Sequence, residues 1–138
     1  MIKMNKLPDD ILARIDRLDT LFARDERVIF AYLFGGLAKG GAKPLSDLDL
    51  AVFLAPGVVT GEAKLELSGA LADLLGTDEF DLVVLNTSPL SLVGRILEKR
   101  RVITDKQPFV RHTFESRSMR EFFDFRRREE DILRQRFV

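Results

Sequence analysis

Residues 28–54 read VIFAYLFGGLAKGGAKPLSDLDLAVFL, and the fold turns on how this stretch divides. Residues 28–34 are continuously apolar and rich in aromatic and β-branched types, the pattern of a central strand covered on both faces. Residues 48–54 form a second such strand, ended by Pro56-Gly57. Between them, four glycines, two lysines and a proline lead into Asp47 and Asp49. That spacer is too short for a full crossover helix, so the two strands are expected to pair antiparallel or to belong to a mixed sheet.

Working outward, residues 8–24 place Ile11, Leu12, Ile15, Leu18, Leu21 and Phe22 at helical spacing, with Pro8 suited to the first turn and Asp9 and Asp10 to the positive end of the dipole. One helix is expected there. Downstream, a helix over about 61–75 carries Leu65, Leu67, Leu71, Leu74 and Leu75 and ends at Gly76. A third strand is expected over 80–86, FDLVVLN, then a helix from Ser88-Pro89 to about Lys99, a short edge strand over 101–104, and one long helix over about 109–137. This order predicts an α+β chain, an α/β sandwich with a small mixed sheet flanked by helices. The 138 residues suit a single domain.

The chain has no cysteine, one histidine and 22 residues of each charge sign. Disulfides, thiolate catalysis and thiolate-bound zinc are excluded, and any metal must be held by oxygen, as hard cations such as magnesium or manganese are. A net charge of zero implies no global pull toward nucleic acid, so direct nucleic-acid binding is not expected. The basic N-terminus is not followed by a long apolar run, and no apolar stretch of about 20 residues exists, so neither a signal peptide nor a membrane span is expected. A cytoplasmic protein fits best.

Asp47 and Asp49 share one side of a strand, because side chains alternate. Two ionised carboxylates at close range repel each other unless a cation neutralises them. A turn and a solvated strand edge would account for the pair alone. Gly35-Gly36 shifts the balance: without Cβ atoms, the backbone there can approach a ligand closely, and Lys39 adds a point charge. Asp81, second in another apolar strand, reaches the same cleft if that strand lies beside residues 48–54. Three carboxylates could then hold two ions roughly 3.5–4 Å apart for an in-line phosphoryl displacement, and Asp81 could accept the proton of an attacking hydroxyl.

Phe34-Gly35-Gly36, a spacer, and Asp47-Leu48-Asp49 together resemble the signature of the DNA polymerase β-like nucleotidyltransferase superfamily, with Asp81 standing where its third acid is expected. The length is similar to that of the minimal nucleotidyltransferases (MNT), and Phe122-Phe123-Asp124-Phe125 is similar to an element of MntA-like antitoxins in HEPN/MNT toxin–antitoxin pairs. The resemblance is firm over about 28–86 and weaker over the last helix. It implies a nucleotidyltransferase fold and transfer of AMP from ATP to a tyrosine of a HEPN ribonuclease toxin. It also implies Asp47, Asp49 and Asp81 as catalytic residues and ligands of Mg2+ or Mn2+, with Gly35, Gly36, Lys39 and Ser46 binding the nucleotide. Many members carry Ser at the place of Gly36 and Arg at that of Lys39, so one hydroxyl contact and one bidentate grip are replaced here. The alternatives are a catalytically weak antitoxin that acts as a binding module and an enzyme adenylylating an antibiotic. A homo-oligomer, or a hetero-oligomer with the toxin, is compatible with the chain.

Elsewhere, Tyr32 is expected in the core with its hydroxyl partnered, and His112 on the surface near a helix start. The runs Lys99-Arg100-Arg101 and Arg126-Arg127-Arg128 could reach phosphate or RNA, but such runs are more often solvated helix faces, the second offset by Glu129, Glu130 and Asp131. Phe114, Phe122, Phe123 and Phe125 cannot all face one way; packing on their own core is the first expectation, and contact of some with a partner chain the alternative.

Overall fold

The computed structural model describes residues 9–35 and 48–137, the side chains of 136 and 137 excepted. The chain runs α1 (Ile11–Ile15), α2 (Leu18–Arg24), β1 (Val28–Phe34), β2 (Leu48–Leu54), α3 (Thr60–Leu75), β3 (Phe80–Val84), a 3-10 turn (Leu85–Thr87), α4 (Leu90–Glu98), β4 (Arg101–Asp105) and α5 (Pro108–Phe137). The four strands lie in the order β3-β2-β1-β4. β1 pairs antiparallel with β2 and with β4, and β2 pairs parallel with β3. The mixed sheet expected from the short β1–β2 spacer is therefore present, with β4 on its edge.

Alternation along the strands sends residues to two different cores. Leu48, Leu50, Val52 and Leu54 of β2, with Ala31 and Leu33 of β1 and Leu82 and Val84 of β3, pack against α1, α2 and α3. Phe30, Tyr32 and Ala51, with Phe53 and Val83 at the margin, pack beneath α4 and the first half of α5. The result is a sheet between two helical layers, the expected α/β sandwich with a long C-terminal helix. Each fully buried Leu or Phe contributes roughly 1.5–3 kcal/mol of burial, so a centre covered on both sides explains why β1 and β2 are apolar without alternation.

α3 buries Ala63, Leu67, Leu71 and Leu75, one per turn, and stops at Gly76 in the left-handed conformation (φ 69°). Leu65, counted with the apolar positions of this helix, is instead 75% exposed. The residue at 76 has a second constraint: a Cβ there would run into the guanidinium of Arg14, which donates to the Leu74 carbonyl at 3.3 Å.

The single helix expected over 8–24 is two helices broken at Asp16-Arg17. Both halves are apolar on one side, but α1 packs on α3 while α2 packs on β1 and β4, so the segment turns a corner that a straight helix would miss. The third strand is shorter than its apolar run. Asn86 takes both backbone groups of Leu54 at the end of β2, its Oδ1 accepting from the Leu54 N–H at 2.8 Å and its Nδ2 donating to the carbonyl at 2.9 Å. That side chain completes the ladder, and the backbone coils into the 3-10 turn.

Candidate functional site

β1 ends at Phe34, which pairs with Asp49. Gly35 follows at φ 79°, a conformation that L side chains rarely adopt. A Cβ built there would collide with Oδ2 of Asp49 and lie 3.3 Å from its Cγ. The glycine is thus needed twice, for its backbone angle and because the carboxylate rests against it. On the other side of β2, Asp49 stands directly opposite Asp81 in the parallel register. Residues opposite each other in a sheet point to the same face about 5 Å apart. That face is the one shared by Ala51, Phe53 and Val83, beneath α4 and α5. Asp49 is half-buried and Asp81 exposed at the strand edge.

Of the positions singled out by sequence, the structure therefore brings Gly35, Asp49 and Asp81 together at the entrance of β2. Gly36, Lys39, Ser46 and Asp47 lie outside the described residues. Among the described residues no group of three or more acids or histidines is gathered to hold a metal; the described part of the site supplies two acids. Its donor set is all oxygen, with a backbone that leaves room for the carboxylate, which fits a hard divalent cation.

The Gly35 geometry carries a prediction. Gly35→Ala should cost about 1–3 kcal/mol in denaturant unfolding, from the positive φ and the collision together. Gly57→Ala is its control: φ is 84° there too, but an added Cβ meets nothing within 4 Å. Equal losses for the two variants would show that the contact with Asp49 has no energetic weight.

Further along the same face lies a polar cluster of which the sequence pointed only to Tyr32. Tyr32 of β1 is fully buried and donates to Oε2 of Glu115 on α5 at 2.6 Å. The same oxygen accepts from Nε of Arg100 at 2.6 Å, and Oε1 accepts from Arg111 at 3.0 Å. Arg111 also donates to Asp105 at 2.8 Å. Arg100 sits over the Tyr32 ring, 5.6 Å from its centroid. This residue, read as part of a solvated basic run, is a structural cation because its partner lies on another element. Burial works against the Glu115 charge, but hydrogen bonds from Arg100 and Tyr32, with the charges of Arg100 and Arg111, hold its carboxyl down at about 2. Burial and then the bond to Glu115 push the Tyr32 phenol above its ordinary range. The expected hydroxyl partner of Tyr32 is thus identified, and His112 is exposed beside Arg111, as expected.

A cleft of about 290 Å3 lined by Thr60, Lys64, Thr87 and Ser88 opens where α3 and α4 begin. It lies at the C-terminal ends of β2 and β3, while the acid pair lies at their N-terminal ends, so it is distinct from the candidate site. Among the described residues no helix is long and apolar enough to cross a membrane.

The fold has counterparts among solved structures. In one, an MNT antitoxin is in complex with a tri-AMPylated HEPN toxin of Shewanella oneidensis; identity is 18%, 92% of this chain and 98% of that chain are covered, and the TM-score is 0.68. A toxin–antitoxin structure with AMP-PNP matches at 21% identity over 91% of this chain and 98% of that chain, with TM-score 0.70. A protein described as a minimal nucleotidyltransferase is 30% identical, covering 67% of this chain and 92% of that chain, with TM-score 0.53. Comparison with curated proteins gave no match. The model of the polymerase beta nucleotidyltransferase family matches residues 16–109, a span that includes Gly35, Asp49 and Asp81 and all four strands. The chain belongs to the polymerase beta nucleotidyltransferase family.

Proposed function

We propose that this chain, acting as one minimal nucleotidyltransferase domain in the cytoplasm, transfers AMP from ATP to a tyrosine of a HEPN-type ribonuclease and so silences it. The observation that carries the reading is the register match of Asp49 and Asp81 across parallel strands, at the point where Gly35 leaves room for a carboxylate. The antitoxin complexes with an AMPylated toxin and with an ATP analogue support the nucleotide and the class of acceptor.

In this reading Asp47, Asp49 and Asp81 hold the divalent cation, and Gly35, Gly36, Lys39 and Ser46 bind the triphosphate. Bound magnesium or manganese would supply charge neutralisation on the phosphate oxygens. Asp81, exposed at the strand edge, is open to an incoming hydroxyl and takes its proton. The phenolate oxygen forms a bond to the α-phosphorus, the bond from that phosphorus to the bridging oxygen breaks, and pyrophosphate leaves.

The acceptor is supplied in trans. Tyr32 is the only tyrosine of the chain, and it is buried with its hydroxyl held by Glu115. The test is to incubate the protein with ATP, magnesium or manganese and a candidate HEPN-type ribonuclease, then to measure intact masses. Mass should be added to the ribonuclease in units of AMP, on tyrosine, and none to this chain. An unmodified ribonuclease under every metal condition would reject transfer and leave inhibition by contact alone.

A further inference from the structure

α4 and α5 lie side by side and run the same way: the Phe122 ring sits where Gly94 has no Cβ, and one turn on, Arg126 meets Glu98 at 3.8 Å. Glu98 is the last residue of α4, but α5 continues to Phe137. From 123 through 135 every residue is exposed, including Phe123 at 53%, Ile132 at 55% and Leu133 at 55%. Beyond Arg126 the last turns of α5 therefore extend past the end of α4 with apolar side chains in solvent.

The charges on this arm are ordered unusually for a lone helix. Arg126-Arg127-Arg128 precede Glu129-Glu130-Asp131. A cation four residues before an anion is the weaker orientation of such a pair. The same order is self-complementary when reversed. Read from its middle, between Arg128 and Glu129, the arm has three cations and then Phe125 in one direction, and three anions and then Ile132 in the other.

We propose that two copies of this chain pair through these arms, antiparallel, about a two-fold axis between Arg128 and Glu129. Phe125, Arg128, Glu129 and Ile132 share one face of the helix, so Arg128 of each copy meets Glu129 of the other, and Phe125 stands level with Ile132 of the second copy, removing both from water. The charge order, unfavourable within one helix, becomes the feature that selects antiparallel over parallel pairing, in which like blocks would face each other.

The test uses the full chain. Sedimentation equilibrium of the wild type, followed up to hundreds of micromolar, should show a reversible rise from one chain's mass to two. Arg128→Glu, and separately Glu129→Arg, should each abolish pairing, and an equimolar mixture of the two variants should restore it. These positions are exposed and off the body, so circular dichroism and melting should be unchanged. A wild type that stays monomeric throughout overturns the proposal, as does pairing that survives in either variant or fails to return on mixing. Pairing seen only after a HEPN-type ribonuclease is added would overturn it too, since the arm would then belong to that protein. None of these readouts depends on AMP transfer.

Discussion

Replacing Asp49 by asparagine is expected to lower AMP transfer by at least about a thousandfold, the scale of losing one charged group that stabilises a phosphoryl displacement. Asparagine has nearly the size of aspartate, so the packing against Gly35 is retained and only the charge goes. Magnesium-ATP, which should raise the melting temperature of the wild type by mass action, should no longer do so for the variant. Transfer within tenfold of wild type would remove Asp49 from the proposed site and with it the reading of the register match.

The second large effect is on stability. Glu115→Ala should cost about 3 kcal/mol, because it leaves Arg100, Arg111 and the Tyr32 hydroxyl without the carboxylate they share. The side chain is only 13% exposed, so water replaces little of that interaction. The pH dependence follows from the direction of the shift. The Glu115 carboxyl is held at about 2 in the fold against an ordinary 4.5, so as the pH falls the unfolded chain takes up the proton first. The contribution is complete above 4.5 and is lost between 4.5 and 2, amounting to roughly 3 kcal/mol over that range. Urea unfolding across this interval, wild type against Glu115→Gln, isolates it: the wild type should lose the more stability, and parallel curves would mean that the depressed carboxyl is not linked to folding.

Strands β1, β2 and β4, the capping glycine at 76 and the long last helix were all legible in order and nearly in extent. Each rests on a local signal: a run of apolar β-formers, a glycine after a periodic stretch, an uninterrupted helical pattern. The first helix misled because its periodicity is continuous across Asp16-Arg17, while the break answers to two packing partners, α3 on one side and the sheet on the other. β3 misled because FDLVVLN stays apolar to Leu85, while Asn86 satisfies the end of β2 with its side chain. Arg100 misled because a basic tripeptide carries no mark of a carboxylate 15 residues on.

By itself the sequence determined which residue types could act: oxygen ligands only, a glycine at the end of β1, and carboxylates at strand entrances, since composition and alternation are properties of the local chain. Whether Asp81 meets Asp49 was a question of register, and a slip of one residue would have turned it to the opposite face. Only the tertiary structure decided that, along with the choice of Glu115, 83 residues away, as the partner of the Tyr32 hydroxyl. Both depend on how separate segments come to lie side by side, and no local pattern of side chains records that distance.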